Sequence, residues 1–213
     1  MQSEELTNYI NRNTTGSTEV LKQLQRETYL KVFHPQMISG PYQGRLLTML
    51  TQMIQPKRVL EIGTFTGYIA ICMAMGLPEN GLVHTIEIKE ELEDMIRKYL
   101  KLASVENQVK LHIGDAKLVI PTLEDRFDLV FIDAKKMDYE AYYDLIFPKV
   151  NIGGYILTDN VLWYGKVLDE EKHANDKRTV ALNAFNKKIQ ADDRVENILL
   201  PIRDGIMIAR KIL

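Results

Sequence analysis

Two acidic residues and an asparagine follow two apolar segments, and all three can supply hard oxygen ligands. Asp133 comes directly after Leu-Val-Phe-Ile, and Asp159 and Asn160 come after Tyr-Ile-Leu-Thr. Carboxylate and amide oxygens without nearby sulfur or imidazole suit Mg²⁺, Ca²⁺ or Mn²⁺ and do not suit zinc. With three protein ligands, such an ion keeps positions open for water or substrate oxygens. Since Asp and Asn are also favoured helix caps, a purely structural role is equally open at this point.

A second set of residues follows the three apolar segments that come earlier in the chain. Residues 60–68 read Leu-Glu-Ile-Gly-Thr-Phe-Thr-Gly-Tyr, which places Glu61 before a turn with two glycines. The glycine spacing differs from the dinucleotide fingerprint and is equally explained by tight packing, while the carboxylate would attract a cationic ligand. Glu87 ends the next segment, where a carboxylate can bind ribose hydroxyls, and Gly-Asp-Ala at 114–116 follows the third. This order indicates a nucleoside that carries a cation, as S-adenosylmethionine does.

Strand-like and helix-like segments alternate after the first quarter of the chain. The predicted strands are Arg58–Gly63, Leu82–Ile88, Lys110–Asp115, Leu129–Ala134, Gly154–Asn160, Val195–Ile202 and Gly205–Ile212. The last two are separated by two residues only, which predicts an antiparallel hairpin. The alternation predicts an α/β fold with a parallel sheet and helices on both faces. Ligands bind outside the carboxyl ends of the strands in such a sheet, where the polar residues stand.

The residues before the first strand have helical character. One apolar stripe is formed by Leu46, Leu47, Leu50, Met53 and Ile54. We interpret residues 1–56 as a helical cap or oligomer contact on an α/β core at 57–213. Since neither an internal repeat nor a linker-like composition divides the chain, we predict a single domain over residues 1–213.

The composition excludes several classes of protein. The 27 basic and 29 acidic residues give a net charge of -2, and no long block of Lys and Arg indicates a nucleic acid or an anionic membrane as partner. A single cysteine, Cys72, excludes an internal disulfide framework. The sequence shows neither a signal-peptide pattern nor an apolar run long enough to span a bilayer, so we expect a cytoplasmic protein.

These motifs together resemble those of the cation-dependent O-methyltransferases, which include caffeoyl-CoA O-methyltransferase and, more distantly, catechol O-methyltransferase. The resemblance extends from about Met37 to the C-terminus and is strongest at residues 60–68, 131–134, 158–165 and 200–205. It implies a Rossmann-like class I methyltransferase fold: seven strands, mostly parallel, with the last strand antiparallel. It also implies a homodimer that methylates a vicinal-dihydroxy aromatic small molecule, of catechol or hydroxycinnamoyl type, with S-adenosylmethionine as cofactor.

The resemblance gives individual residues their roles. The divalent cation, Mg²⁺ foremost, would be held by Asp133, Asp159 and Asn160. The cofactor would be surrounded by Ser39, Glu61, Gly63, Thr64, Tyr68, Glu87, Asp115, Ala116 and Asp133. Lys136 stands where relatives have a lysine implicated in deprotonating the acceptor hydroxyl, and Trp163 and Asp204 stand where residues border the acceptor pocket. Without the resemblance, Lys136 is better explained as a surface lysine beside Lys135.

Two residues depart from the family's pattern close to the metal motif. Plant relatives read Asp-Ala-Asp-Lys where this chain has Lys135 in the third place, so an acid that contacts the cofactor there is replaced by a lysine. Asp138 stands where relatives have an asparagine. Neither change affects the three predicted metal ligands.

Three other functions are weighed against this one. A nicotinamide-dependent oxidoreductase requires a third glycine at the first turn, which the sequence lacks. An enzyme of the same family that methylates a hydroxyuridine in tRNA is disfavoured by the mild negative charge but stays open. A non-catalytic module that binds S-adenosylmethionine is disfavoured by the intact metal positions and Lys136.

Overall fold

Eight α-helices and seven strands make up the part of the chain that the computed structural model describes, residues 4–213. The helices are α1 (Glu4–Arg12), α2 (Glu19–Lys31), α3 (Gly40–Ile54), α4 (Tyr68–Ala74), α5 (Glu93–Leu102), α6 (Ala116–Thr122), α7 (Tyr139–Ile146) and α8 (Lys177–Ala191). The strands are β1 (Arg58–Ile62), β2 (Leu82–Glu87), β3 (Val109–Ile113), β4 (Phe127–Ile132), β5 (Val150–Asp159), β6 (Val195–Leu200) and β7 (Ile206–Lys211). Residues 1–3, the start of the predicted cap, lie outside the described residues.

The strands form one seven-stranded sheet in the order β3-β2-β1-β4-β5-β7-β6. The pairs β2–β3 and β4–β5 are parallel, whereas β7 runs antiparallel to both β5 and β6. This confirms the predicted α/β fold, a mostly parallel sheet whose last strand is antiparallel. None of the helices in residues 4–213 has the length and apolar character needed to cross a membrane.

All seven predicted strands are present, each with a bound that differs from the prediction, and two of these differences have a clear physical reason. β5 begins at Val150, before the predicted start at Gly154, and its register with β4 shifts between Phe127 and Leu129. The extra residues are accommodated as a bulge that includes Gly153 at φ 83°, and the Gly-Gly pair there reads as a strand boundary in the sequence. The connection between β6 and β7 spans residues 201–205 instead of the two predicted, because β6 ends before Pro201, which cannot donate to a ladder.

The described chain divides into two compact units. The first unit comprises the residues up to Val59 together with Thr64–Asp115, and the second comprises Leu60–Gly63 together with Ala116–Leu213. The division concerns packing within the chain. Whether the chain folds as the single predicted domain stays a prediction.

In the first unit, α3 packs on α4 through small and polar residues. A Cβ on Gly44 would lie 2.7 Å from Cε1 of Tyr68 and 2.8 Å from Sγ of Cys72. Thr48 donates its hydroxyl to the carbonyl oxygen of Cys72 at 2.9 Å. The predicted apolar stripe is packed only in part, since Leu47 is completely buried whereas Met53 is 76% exposed. Exposed apolar side chains suit an oligomer contact, and the homodimer stays a prediction.

Glu27 of α2 joins α2 to α5 in the first unit and gives this packing a dependence on pH. Its Oε2 accepts hydrogen bonds from Nζ of Lys98 at 2.5 Å and from Oη of Tyr99 at 2.6 Å, and its Oε1 accepts from Nζ of Lys31 at 2.9 Å. These bonds lower the pKa of Glu27 from 4.5 to about 2.

We expect the Glu27→Gln variant to lose about 1 kcal/mol of stability at pH 7, in the range of partly exposed ion pairs. Because the folded-state pKa is depressed, this contribution is complete above pH 4.5 and disappears as the pH falls towards 2. Urea denaturation of both proteins from pH 7 down to pH 3 measures the difference. A difference that stays constant over this range would show that ionisation of Glu27 does not carry it.

The second unit has an aromatic core between the sheet and helices α7 and α8. Tyr139, Tyr143, Phe131 and Phe185 are almost completely buried. The rings of Tyr139 and Phe185 meet edge to face, with centroids 5.6 Å apart. This core fixes the start of α7, where the sheet edge carries the residues of the candidate site.

Candidate functional site

Gly63 directly follows β1 in the second unit, with a φ of 101° that glycine adopts readily. A Cβ here would collide with the carbonyl oxygen of Asp133 and lie 2.8 Å from the carbonyl carbon. The N–H of Asp133 donates to the carbonyl oxygen of Ile62 at 2.9 Å, so the two backbones are in direct contact. Tight packing therefore accounts for this glycine, and its contact with a cofactor stays a prediction.

Glu61 lies two residues earlier in β1, and its side chain is completely buried. A buried carboxyl group is costly unless a polar or cationic group satisfies it. Its burial is compatible with the predicted attraction of a cationic ligand, which stays a prediction.

Glu87, at the end of β2 in the first unit, organises the backbone around it. Its Oε2 accepts from the N–H of Phe65 at 2.6 Å, and its Oε1 accepts from the N–H of Lys89 at 2.9 Å. Burial raises the pKa of this carboxyl group, while the two hydrogen bonds act in the opposite direction. Each oxygen retains a further lone pair, so the carboxylate can still accept two hydroxyl donors.

Other predicted cofactor residues of the first unit have hydroxyl groups with protein partners. The hydroxyl of Thr64 lies 2.5 Å from that of Thr85, and the hydroxyl of Tyr68 lies 2.7 Å from that of Ser17. Burial raises the pKa of Tyr68 to about 12, so this phenol is neutral at physiological pH. These contacts shape the turn and the start of α4.

Three more predicted cofactor residues stand beside helix starts. Ser39 and Asp115 are partly exposed and directly precede α3 and α6. Ala116, the first residue of α6, is buried and belongs to the second unit. Contacts of these residues with a cofactor stay predictions.

The predicted metal ligands of the second unit come together at one edge of the sheet. Ile132 of β4 pairs in register with Thr158 of β5, so Asp133 and Asp159 occupy the next matching positions. Asp159 is buried, and its Oδ1 accepts from the N–H of Asn160 at 2.8 Å. Asn160 has a φ of 60°, in the left-handed region that asparagine tolerates better than most residues.

The donor set at this edge fits a hard divalent cation. It combines two carboxylates, one of them buried, with an amide oxygen, and such oxygens are the ligands that Mg²⁺, Ca²⁺ and Mn²⁺ prefer. Across residues 4–213, no three histidine, cysteine, aspartate or glutamate side chains converge on a possible metal position. Binding of a cation by Asp133, Asp159 and Asn160 stays a prediction.

Lys136 lies against Asp133 and differs sharply from its neighbour Lys135. Its Nζ is 2.7 Å from Oδ1 of Asp133, and its side chain is 11% exposed, whereas that of Lys135 is 64% exposed. The structure therefore does not support the alternative of a surface lysine. Burial by itself lowers the pKa of Lys136, but the adjacent Tyr139 and Asp133 outweigh it, and the pKa is raised. The amine is charged at neutral pH in this arrangement.

The two departures from the family's pattern contact each other. Nζ of Lys135 is 3.3 Å from Oδ2 of Asp138, and Nζ of Lys117 is at the same distance from this oxygen. This chain has a lysine at position 135 where relatives have an acid, and an acid at position 138 where they have an asparagine. The two changes together form an ion pair.

Tyr139 is a residue of this site that the sequence analysis missed. It is completely buried, its hydroxyl donates to the carbonyl oxygen of Asp159 at 3.1 Å, and its ring lies 5.1 Å from Nζ of Lys136. It therefore connects the start of α7 to the end of β5 and lies against Lys136. Its position three residues after Lys136, at the start of α7, was the available signal.

Trp163 and Asp204, predicted to border the acceptor, come close to each other through the backbone. Oδ1 of Asp204 accepts from the N–H of Tyr164 at 2.5 Å, directly after Trp163. Within the described residues, Nε1 of Trp163 is buried without a hydrogen-bond partner, and Arg178 lies 5.7 Å from its ring. Burial raises the pKa of Asp204.

Comparison with known proteins gives a consistent result. A family model described as O-methyltransferase matches residues 11–212. A caffeoyl-CoA O-methyltransferase of Populus kitakamiensis is 34% identical, over 100% of this chain and 95% of its own length. The SAH-bound methyltransferase PaMTH1 of Podospora anserina has a TM-score of 0.90 at 28% identity, covering 99% of this chain and 97% of its own. The O-methyltransferase TomG of Streptomyces achromogenes, in complex with SAM, has a TM-score of 0.90 at 27% identity, with both chains covered completely.

Proposed function

Because the chain belongs to the O-methyltransferase family, we propose that it methylates one of two adjacent hydroxyl groups on a small aromatic acceptor, using S-adenosylmethionine and a divalent cation. The observation that carries this proposal is the sheet edge at which Asp133, Asp159 and Asn160 follow neighbouring strands. Two carboxylates and an amide suit a cation that also binds acceptor oxygens.

The cofactor is supported by the relatives and by the carboxylates of the chain. PaMTH1 is described with SAH bound and TomG with SAM bound. In this chain, Glu87 offers two carboxylate oxygens to hydroxyl donors, and the buried Glu61 offers a negative charge to a sulfonium. When bound, S-adenosylmethionine supplies an electrophilic methyl group.

The residues of the second unit would bind the cation and position its ligands. Asp133, Asp159 and Asn160 would hold the cation, which when bound supplies Lewis acidity to the acceptor hydroxyls. Tyr139 fixes the backbone of Asp159, and Gly63 fixes that of Asp133, so the ligands are preorganised. Holding the acceptor oxygen in line with the methyl carbon supplies much of the rate enhancement.

Lys136 is proposed to take the proton of the acceptor hydroxyl. Its buried amine is within 2.7 Å of Asp133 and therefore adjacent to the proposed ligand set. The ion pair with Asp133 raises the pKa of the Lys136 amine. A divalent cation bound at Asp133 would lower this pKa, so that the amine loses its proton and can accept one from the acceptor hydroxyl. The deprotonated acceptor oxygen would then receive the methyl group that bound S-adenosylmethionine supplies, with a neutral thioether as the leaving group.

An aromatic acceptor is supported by the segment Trp163–Leu168. Tyr164 is 66% exposed and Leu168 is 83% exposed, so the segment beside the proposed ligands presents large apolar side chains to an incoming molecule. Such side chains favour flat, apolar ligands with a few polar groups.

The test is methyl transfer from labelled S-adenosylmethionine to a panel of catechols, a caffeoyl thioester and bulk tRNA, each with Mg²⁺ and with EDTA. We expect transfer to a catechol-type acceptor, a loss of about a hundredfold or more with EDTA, and recovery on adding Mg²⁺.

In the same assay, Lys136→Met should lower kcat by roughly a hundredfold or more, in the range of general base catalysis.

Three results would contradict parts of this proposal. Transfer that is confined to tRNA would move the acceptor to RNA and leave the family unchanged. Transfer that persists in EDTA would rule out a role for the divalent cation. Binding of S-adenosylmethionine without transfer to any acceptor would favour a non-catalytic module.

A further inference from the structure

The segment that follows the proposed metal ligands has an unusual backbone. Asn160, Trp163 and Tyr164 have φ values of 60°, 47° and 56°, and Gly165 continues at 75°. Non-glycine residues in this region are strained, and the surrounding structure has to hold them there. One of the two strained aromatic residues is Trp163, which is predicted to border the acceptor.

The turn at residues 202–205 supplies this support on one side. The N–H of Val161 donates to the carbonyl oxygen of Gly205 at 3.2 Å, and the N–H of Leu162 donates to that of Asp204 at 2.9 Å. The third bond comes from the N–H of Tyr164 to the carboxylate of Asp204 at 2.5 Å. Of the three, only this last bond uses a side chain.

Helix α8 supports the same segment from another direction. Asn186 donates to the carbonyl oxygen of Val161 at 2.9 Å, and Lys166 pairs with Asp176, the N-cap of α8, at 2.8 Å. These contacts reach residues 161 and 166, on either side of the strained pair. The N–H of Tyr164, between them, is bound by Asp204.

We propose that Asp204 is a positioning residue, whose carboxylate holds the strained Trp163–Tyr164 turn and thereby orients the Trp163 indole towards the acceptor. This inference rests on the proposed function, in which Trp163 borders the acceptor. In this role, Oδ1 of Asp204 acts on the acceptor through the backbone N–H of Tyr164.

The oxygen of Asp204 matters in this role, and its negative charge does not. An N–H donor is satisfied by a neutral amide oxygen, as in most backbone hydrogen bonds. Burial disfavours the charged form of Asp204 and raises its pKa, so a neutral side chain is tolerated at this position. An asparagine should therefore replace the aspartate in function, whereas an alanine should not.

Trp163 is the only tryptophan of the chain, so its fluorescence reports this turn alone. The experiment compares Asp204→Asn, Asp204→Ala and the exposed control Asp193→Ala in the full chain, by acrylamide quenching without ligands and by steady-state kinetics. We expect Asp204→Ala to raise the quenching constant about twofold and to lower kcat roughly tenfold or more. Affinity for S-adenosylmethionine should stay within about twofold, and Asp204→Asn should restore quenching and kcat to within about threefold of wild type.

The opposite pattern would overturn the inference. If Asp204→Asn loses as much activity as Asp204→Ala while quenching is unchanged in both, the charge of Asp204 acts directly on the acceptor. If neither variant differs from Asp193→Ala, Asp204 has no positioning role. Should Asp204→Ala fail to fold by circular dichroism, the asparagine variant decides alone, because positioning predicts its activity and direct charge contact predicts its loss.

The fluorescence measurement also separates this inference from the proposed function. If the wild-type protein methylates no acceptor, the proposed function fails, and quenching still shows whether Asp204 holds the turn. If methylation is found but quenching is unchanged in Asp204→Ala, only the positioning role fails.

Discussion

The Asp159→Asn variant should keep its fold and lose methyl transfer by roughly a thousandfold or more, about 4 kcal/mol of transition-state stabilisation. Asparagine preserves the shape of the side chain and the oxygen that accepts from the N–H of Asn160. It removes one of the two carboxylates from the proposed ligand set, and cation affinity depends on ligand charge. Kinetics with saturating Mg²⁺, together with titration of Mn²⁺ as the probe metal, measure both effects.

Thermal unfolding of the same variant without metal adds an independent criterion. Asp133 and Asp159 occupy matching positions on neighbouring strands, so their like charges disfavour the folded state. Removing one charge should leave the melting temperature unchanged or raise it, while activity falls. Asp144→Ala, which breaks an exposed ion pair with Lys188 on the same unit, serves as control and should change activity by less than about twofold. A fully active Asp159→Asn would exclude this edge as the metal centre.

Much of this edge could be predicted because its signals are local in the sequence. A run of apolar residues that ends in an acid marks a strand and its carboxyl end together, and parallel strands bring such ends to one edge. Asp133 and Asp159 were identified in this way, and the register of β4 and β5 brings their positions together. The pairing of Lys135 with Asp138 was also available, since opposite charges three residues apart contact each other in a helical turn.

The features that could not be predicted depend on contacts between distant parts of the chain. The hydroxyl of Tyr139 meets the carbonyl oxygen of Asp159 twenty residues later, and Asp204 meets the N–H of Tyr164 forty residues earlier. The hydrophobic pattern of the sequence does not predict such contacts. Each of the two residues has neighbours typical of its own helix, strand or turn, and nothing in that local pattern identifies its distant partner. The exposure of Met53 had the same cause, since the buried face of α3 combines Leu47 with small and polar residues.

The close contact between Gly63 and the backbone of Asp133 predicts a measurable loss of stability when a side chain is added at Gly63. We expect Gly63→Ala to destabilise the protein by about 3 kcal/mol or more, combining the strain of a side chain at φ 101° with overpacking against the backbone of Asp133. Gly153→Ala is the matched control, because its φ of 83° is similar and its Cβ would meet only the flexible end of Arg210 at 3.8 Å. It should cost about 1 kcal/mol, the strain alone.

The difference between the two variants isolates the collision, and its functional effect follows from the position of Asp133. The backbone that a Cβ on Gly63 would displace carries a proposed metal ligand, so Gly63→Ala should also weaken Mn²⁺ binding by roughly tenfold or more, as loss of ligand support does. Gly153→Ala should bind Mn²⁺ as wild type does. Urea denaturation and Mn²⁺ titration test the two effects separately. Equal stability losses would contradict the contact with Asp133, whereas a larger loss with unchanged Mn²⁺ affinity would keep the contact and remove Asp133 from the metal site.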